Sequence, residues 1–525
     1  MVRFAAVKLS RTIVLSTLLA FWLNLPVIAI AAPTPTPPAS APSPPAPRLR
    51  IETDFSYTAN LVHWIDNLAG TSVGKTMFFH QRYWEERFGP IDADDRRALE
   101  AFARIRRLPV PMTGRAVANA SGCLPVESEG MGWNQLFLAE AMSASSLEDF
   151  RRRMTTHLGE PDVARLMASL DRFGPRFQRV WKDLAYVKRF EARFKRYLGE
   201  DDLPRYLAGL AGFFGVVPGP DRPMMISFIG LPSNGPTHAE ADGDHLLIEI
   251  RPVDSPHDQV EVVAHEASHF LMRLMSADQI DRLARQSFGE GEAGAIFWRY
   301  MWEGIPTALG QGVAEAQLSP GNFSLARPWY HIEAIDRFAK LIYPAIAQAI
   351  AASRPIDDGL VPAMTRILGA SPLVREAYPG EFLMTAFYID GTGQGPQMDA
   401  LRQRLGLGSG VALALDDPAG PDILRRYVCL PGVMLVGPSE LARAAALDGT
   451  PLLSDNLVRQ AIDRSSHGLG VIAAGRRASG APVFFLVAPN TGLAAPIIEV
   501  FSRLRGLPDR QIVVTGEAAE PKIDP

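Results

Sequence analysis

The chain has 525 residues, of which 47% are hydrophobic and 21% charged, and its formal net charge at pH 7 is -4. This balance is typical of a globular protein with a large core, and it argues against broad electrostatic attraction to nucleic acid or an anionic membrane surface. Its two cysteines, Cys123 and Cys429, are too few for a zinc–thiolate cluster. They are either a disulfide pair or two buried thiols.

The N-terminus has the pattern of an export signal. Basic residues precede an almost wholly apolar run at 12–32, and Ala29-Ile30-Ala31 offers a small-x-small cleavage pattern. The run approaches the length of a membrane span, so an uncleaved anchor is the alternative. Asn24 and Pro26 within the run favour cleavage. We therefore expect a signal peptide at 1–31 and a periplasmic or secreted protein.

Two regions follow the predicted signal. Residues 32–48 are rich in Pro, Ala, Ser and Thr, which predicts an extended linker. Residues 49–220 have apolar residues at helical spacing between short Gly and Pro loops, which predicts a mostly helical region. Aromatic and basic residues alternate over 172–196, a composition also found in nucleic-acid-binding segments. Their spacing instead predicts an amphipathic helix with a solvated basic face.

The pattern changes after residue 220. Short apolar runs at 224–229 and 245–251 predict strands, and a long helix then begins a series of helices that continues to about residue 415. We interpret 221–425 as one core. Within it, the remaining histidines His238, His245 and His257 are expected to be surface or hydrogen-bonded residues.

Strand and helix patterns alternate over residues 426–516, which predicts a small α/β unit, and a loose tail is expected at 517–525. The predicted fold class is therefore α+β. It comprises a mainly helical core with a small sheet and a small C-terminal α/β unit.

The most informative motif is His265-Glu266-Ala267-Ser268-His269. In a helix, two histidines four residues apart lie on one face, close enough to bind one metal ion. The helix is supported by Ser255 as N-cap, Pro256 at the first helical position and Asp258 in the first turn.

This arrangement points to hydrolytic zinc chemistry. Zinc suits imidazole ligands, and a catalytic site leaves one coordination position for water. Glu266 lies about 100° further round the helix than His265. Its carboxylate would then stand beside the open position, where it can take a proton from the zinc-bound water and pass it to a leaving amine.

A third ligand is needed. The downstream candidates are Glu290, Glu292, Glu303 and Glu315. Glu303 is favoured because the large aromatic residues around it imply burial, and a buried carboxylate requires a partner such as a metal.

His265-Glu266-x-x-His269 followed by Trp302-Glu303-Gly304 resembles the gluzincin metallopeptidases, the thermolysin-like superfamily. The resemblance implies one zinc ion bound by His265, His269 and Glu303. It also implies a peptide or protein substrate and a sheet whose edge strand binds that substrate, here 245–251. The superfamily uses a Tyr or His to stabilise the oxyanion, and Tyr330 and His331 are the candidates.

The sequence departs from this family in several ways. An extra helix at 278–288 would separate the motif from Glu303. Pro306 implies that the Glu303 helix is kinked there or begins near Gly304. Thr307, four residues after Glu303, is a candidate hydrogen-bond partner of the ligands. The family often has an acid at this position. The exopeptidase motif typical of the aminopeptidases does not precede His265, so aminopeptidase activity is not implied.

The sequence thus predicts an exported zinc-dependent metallopeptidase. The alternatives are an inactive metallopeptidase-like binding or scaffold protein and a zinc hydrolase that acts on another amide or ester. The intact Glu266 argues against an inactive protein. No nucleic-acid partner is expected, and a membrane contact is expected only if the N-terminal segment is uncleaved.

Overall fold

The computed structural model describes residues 49–72, 76–108, 133–219, 222–357, 359–377, 385–392, 395–404, 409–418, 420–447, 452–505, 512–514 and 522–523. The predicted signal peptide, the whole predicted linker and Cys123 lie outside these residues. Cys429 is buried and disulfide-bonded. None of the described helices is long and apolar enough to span a membrane.

Helices make up most of the described chain. In the N-terminal region they are α1 (Tyr57–Leu68), α2 (Met77–Phe88), α3 (Ala93–Arg106), α4 (Trp133–Ser143), α5 (Leu147–Met154), α6 (Glu160–Asp183), α7 (Ala185–Leu198) and α8 (Asp202–Phe214). In the region of the His265 motif they are a 3₁₀ turn (Pro256–Gln259), α9 (Val260–Arg273), α10 (Ala277–Gly289), α11 (Gly291–Thr307), a π-helical segment (Ala308–Ala314), α12 (Glu315–Leu318), α13 (Glu333–Ala351), α14 (Leu360–Gly369) and α15 (Pro372–Glu376). In the C-terminal region they are α16 (Gly395–Arg404), α17 (Gly420–Arg426), α18 (Leu441–Ala444), α19 (Asp455–Ser466) and α20 (Thr491–Arg503).

The segment predicted to be an amphipathic helix forms parts of α6 and α7. The two helices are separated at Leu184. The aromatic side chains of Phe173, Phe177, Phe190 and Phe194 are buried in the core, whereas basic residues of the same segment face solvent. The aromatic residues therefore serve packing, as the helical spacing predicts.

A four-stranded sheet lies beside the motif helix. Its strands are β1 (Ile51–Asp54), β2 (Met224–Gly230), β3 (Ala239–Asp242) and β4 (His245–Ile250). The order is β1-β2-β4-β3, with β1, β2 and β4 parallel and β3 antiparallel to β4. A tight turn joins β3 to β4, and Gly243 in that turn has a φ of 59°.

The predicted strand at 245–251 exists, but its expected position at the sheet edge is wrong. Strand β4 is internal, and the edge is formed by β3. The four residues of β3 include two acids, so this strand lacks the apolar run that marks buried strands in a sequence.

A second, seven-stranded sheet contains the C-terminal strands. They are β5 (Thr385–Asp390), β6 (Ser409–Ala414), β7 (Gly432–Val436), β8 (Gly470–Arg476), β9 (Pro482–Val487), β10 (Ile512–Val514) and β11 (Lys522–Ile523). Their order is β11-β10-β8-β9-β7-β5-β6. Strands β6, β5, β7 and β9 pair in parallel, whereas the neighbouring pairs β9–β8, β8–β10 and β10–β11 are antiparallel.

This sheet differs from the prediction at both ends. Strands β5 and β6 lie where helices were expected, upstream of residue 426, because short apolar runs do not distinguish strand from helix by periodicity. At the other end β11 pairs with β10, so part of the expected loose tail is a strand. The described chain is mainly helical with two mixed sheets, which confirms the α+β class.

The motif helix α9 packs against β3 and β4 on one side and against α11 and the π-helical segment on the other. A very close approach occurs at Gly310, where an added Cβ would lie 2.5 Å from the carbonyl oxygen of Glu261 and 3.1 Å from the Cβ of His265. The absence of a side chain at this position lets the π-helical segment contact the backbone of α9. The fold thus places the edge strand β3 and the Glu303 helix α11 against the same helix, α9.

Candidate metal centre

The predicted capping residues precede the motif helix, but the first turn, Pro256–Gln259, is 3₁₀ and α9 itself begins at Val260. The side chain of Asp258 accepts hydrogen bonds from the backbone nitrogen and the hydroxyl of Ser255, both at 2.8 Å, at the start of the 3₁₀ turn that leads into α9. His265 and His269 lie one turn apart on this helix, and their Nε2 atoms are 3.1 Å from each other. The two imidazoles therefore face the same point.

Glu303 on α11 completes a group of three potential metal ligands. Its Oε2 lies 3.5 Å from Nε2 of His265 and 3.4 Å from Nε2 of His269. Ligands of a tetrahedral zinc ion are about 3.4 Å apart when each bond is about 2.1 Å. The three atoms therefore fit one ion. Their meeting depends on α10, which occupies the place of the predicted extra helix between α9 and α11.

The burial argued for Glu303 from the sequence is only partly right, because its side chain is 38% exposed. The helix that carries it does not begin at Gly304. It runs from Gly291 through Pro306 and continues as the π-helical segment. An added Cβ at Gly304 would lie 2.1 Å from the ring of Phe338, so this glycine lets α13 pack against α11.

The electrostatics of the group favour a cation. Burial lowers the pKa of His265, but the hydrogen bond to Glu303 and the charge of Glu266 outweigh this effect, so the net pKa is raised. For Glu303, burial raises the pKa, but the neighbouring imidazoles of His269 and His265 have the larger effect. The net pKa of Glu303 lies well below its usual range. An anionic carboxylate thus faces two imidazoles.

Gln311 in the π-helical segment interacts with the imidazole of His265 and helps to raise its pKa. Nδ1 of His265 and Oε1 of Gln311 are both buried, and neither has a hydrogen-bond partner of normal geometry among the described residues. A hydrogen bond that Oε1 of Gln311 accepts from Nδ1–H of His265 would leave Nε2 free to bind a metal. The hydroxyl of Thr307 is buried and makes no hydrogen bond within the described chain.

Glu266 is buried next to the ligand group. Its charge acts on His265, Tyr330 and His238, and it raises the pKa of each. The carboxylate is therefore near both the segment that carries Tyr330 and the segment that leads into the edge strand β3. This is the region where a general base beside the metal would be needed.

Tyr330 contacts the ligand group directly. Its hydroxyl donates a hydrogen bond of 3.1 Å to Oε2 of Glu303, and its ring is nearly parallel to that of His265, with the centroids 6.2 Å apart. Burial and the charge of Glu303 raise the pKa of Tyr330, which keeps the phenol protonated. His331 is exposed and stacks on Tyr330 at 4.5 Å. Of the two candidates, the phenol is the one that touches a predicted ligand.

An ion-pair cluster ties the segment carrying Tyr330 to α9. Arg327 donates 2.6 Å hydrogen bonds to Glu261 on α9 and to Glu315 on α12. Lys340 donates to the backbone oxygen of Arg327 at 2.7 Å. Burial and the charge of Glu261 raise the pKa of Glu315 to about 7. Glu315 therefore belongs to this cluster and not to the ligand group.

The other sequence candidates are accounted for as follows. Glu290 and Glu292 lie at the junction of α10 and α11. His245 is hydrogen-bonded through both nitrogens, to Ser143 at 2.8 Å and to Ser227 at 2.9 Å, which confirms its prediction as a satisfied histidine.

A second group of potential ligands was missed by the sequence analysis. His63, His80 and Glu249 each offer one ligand atom, and these atoms lie within 4.8 Å of one another in the buried core. The signal was present in the strand His245–Ile250, because a glutamate inside an otherwise apolar strand must find a buried partner.

Comparison of the chain with models of known families, with curated proteins and with solved structures finds no match. The ligand groups are therefore interpreted from their own geometry and chemistry.

Proposed function

We propose that this chain is an exported zinc-dependent metallopeptidase. One observation carries the proposal: Nε2 of His265, Nε2 of His269 and Oε2 of Glu303 lie 3.1 to 3.5 Å from one another. These separations suit one small tetrahedral ion. Two imidazoles and a carboxylate form a ligand set typical of catalytic zinc, in which a fourth position serves water or substrate.

When bound, the ion would polarise a carbonyl group and lower the pKa of a water molecule. The proposed role of Glu266 is to accept the proton from the attacking water and return it to the leaving amine. The proposed role of Tyr330 is to donate its hydrogen bond to the carbonyl oxygen as negative charge develops there. The phenol would exchange its bond with Glu303 for one with the substrate.

The proposed substrate is an extended peptide segment that lies along β3. Among the described residues this strand is the sheet edge next to α9, and a sheet edge can pair with an added strand. Arg273 at the end of α9 donates to the backbone oxygen of Ala241 in β3 and to that of Gly243 in the β3–β4 turn, the latter at 3.1 Å. These hydrogen bonds hold α9 and the edge strand together. A peptide that pairs with β3 would therefore lie at a fixed distance from the ligand group.

Two other functions remain as competitors. An inactive scaffold protein would not need a carboxylate at position 266, yet Glu266 is present and buried. A zinc hydrolase that acts on another amide or ester would use the same water activation, but it would have no use for an edge strand beside the ligands. The edge strand therefore favours a peptide substrate.

The proposal is tested by Glu266→Gln. This change keeps the shape of the side chain and removes the base, so we expect zinc content to be unchanged and peptide turnover to fall about 10²- to 10⁴-fold. The matched control is Glu290→Gln, the same chemical change at an exposed position. Zinc is measured by mass spectrometry and turnover with a mixed peptide library. Unchanged turnover in Glu266→Gln would refute the role of the base.

A further inference from the structure

We propose that His63, His80 and Glu249 form a second metal site, a buried structural site for zinc or a similar divalent ion that links the N-terminal helices to the central sheet. It does not depend on the His265 site. His63 lies on α1, His80 on α2 and Glu249 on the internal strand β4. Each of the three side chains is at most 1% exposed.

His80 supplies the observation that points to a cation. Its Nδ1 lies 3.1 Å from the backbone oxygen of Thr76, and a carbonyl oxygen can only accept, so Nδ1 carries the proton. The other nitrogen, Nε2, is then a bare lone pair. It is buried without a hydrogen-bond partner among the described residues, and it lies 3.9 Å from Oε1 of Glu249. Two electron-rich atoms that face each other in the core require a positive charge between them.

Glu249 is surrounded by hydrogen-bond donors. Its Oε1 accepts from the hydroxyl of Thr76 and from His63, both at 2.8 Å, and its Oε2 accepts from the backbone nitrogen of His238 at 2.9 Å. Within the described ranges, no lysine or arginine forms an ion pair with Glu249. A carboxylate at 0% exposure is costly unless a cation compensates it. A divalent ion would provide that charge.

The ligand spacing is close to that of a zinc site. Oε1 of Glu249 is 2.8 Å from Nε2 of His63 and 3.9 Å from Nε2 of His80, on either side of the separation of about 3.4 Å found between tetrahedral ligands. Shifts of about half an ångström would equalise the two distances. The ion would replace the proton shared by His63 and Glu249, and this proton would be released to solvent.

The chemistry of the donors indicates the class of metal and its role. Two imidazoles and one carboxylate suit zinc better than calcium or magnesium, which prefer sets made of oxygen ligands. The hydroxyl of Thr76 is also fully buried and adjoins Glu249, so it is available as a fourth ligand. A site closed to solvent cannot admit a substrate, so its role would be to hold α1 and α2 against β4.

The test counts ions in the full-length chain. We expect two zinc ions per chain in the wild type and one in His265→Ala/His269→Ala, which removes the proposed catalytic site. X-ray absorption of the double variant should show two imidazole nitrogens at about 2.0–2.1 Å. Addition of His80→Gln to this variant should remove the remaining ion. Addition of His245→Gln, which also deletes a buried imidazole on the sheet, should retain it.

The possible outcomes distinguish a failure of the second site from a failure of the proposed catalytic site. A double variant without zinc would overturn the second site and leave the catalytic proposal untouched. One ion in both the wild type and the double variant would support the second site and contradict the first. If the His80→Gln variant does not fold, the absorption spectrum of the double variant still decides. A spectrum with one imidazole or none would overturn the assignment of the ligands.

Discussion

Three neighbours surround His265 besides the other two proposed ligands. The side chain of Gln311 raises its pKa, the ring of Tyr330 runs parallel to the imidazole, and Gly310 lies close to the backbone of α9 at Glu261 and His265. Residues that hydrogen-bond the far nitrogen of a ligand histidine fix its tautomer and orientation. We therefore expect Gln311 to influence the proposed metal site without touching the ion.

Gln311→Ala removes this acceptor. We expect zinc affinity at the His265 site to fall about 10- to 100-fold, the usual effect of losing such a partner. Gln311→Glu, which keeps an acceptor, should not weaken binding. Gln348→Ala on the exposed face of α13 is the control. Competition with a coloured chelator gives the affinities, and equal values for Gln311→Ala and wild type would remove Gln311 from the site.

Glu315 gives the ion-pair cluster a pH dependence. Its pKa in the folded state is about 7, compared with an ordinary value of 4.5, because the carboxyl is buried and faces Glu261. Between these two values the folded chain holds a proton that the unfolded chain has lost. The contribution of Glu315 to stability therefore falls as pH rises from about 4.5 to about 7 and is constant above that range.

Glu315→Gln is expected to remove this component, so the free energy of unfolding of the variant should fall less than that of the wild type between pH 4.5 and 7. Glu333→Gln at the exposed start of α13 is the control. Urea denaturation across this pH range provides the measurement. Parallel pH profiles for Glu315→Gln and wild type would show that Glu315 titrates normally.

Among the elements, the π-helical segment has the most direct influence on the site. It follows α11 directly, begins two residues after Pro306 and packs on α9. Proline has no backbone N–H to donate to the preceding turn, and π-helical turns are frequent at functional sites. This segment places Gln311 beside His265 and lets Gly310 meet the helix backbone. Its geometry therefore sets the distance between the helices that carry the three ligands.

Gly310→Ala tests this role. The added methyl group would approach the carbonyl oxygen of Glu261 to 2.5 Å, so the segment must move away from α9. We expect a loss of about 1–3 kcal/mol in the free energy of unfolding, typical of overpacking, together with weaker zinc binding. Gly174→Ala in α6, where an added Cβ meets no atom within 4 Å, is the matched control. If Gly310→Ala is as stable as wild type, the contact is not tight.

The sequence predicted the elements that are encoded by local patterns of residues. It did not predict elements whose formation depends on pairing or packing with distant segments. The start of α9 was predictable because Ser255 and Asp258 form a cap, and the histidine spacing follows from helix geometry. The π-helical segment has no periodic signature. Strand β3 is short and acidic and exists because it pairs with β4. Glu303 was the preferred third ligand, but only the packing of α10 and α11 brings it to the two histidines.

At the scale of the whole described chain, the N-terminal region is part of the structure that carries the site. Strand β1 pairs in parallel with β2, more than 160 residues later. The side chain of Asn60 on α1 bonds the backbone of Phe228 and Gly230 on β2. Such long-range pairing cannot be read from local patterns. Residues 49–220 therefore do not behave as a detachable module, and they supply His63 and His80 to the core.

The central claim is that His265, His269 and Glu303 bind one zinc ion with Glu266 beside it. A crystal structure of the zinc-loaded protein, with anomalous scattering measured at the zinc edge, tests it most directly. We predict an anomalous peak about 2.0–2.2 Å from Nε2 of both histidines and from an oxygen of Glu303. An ordered chain with no peak between these three side chains would contradict the account.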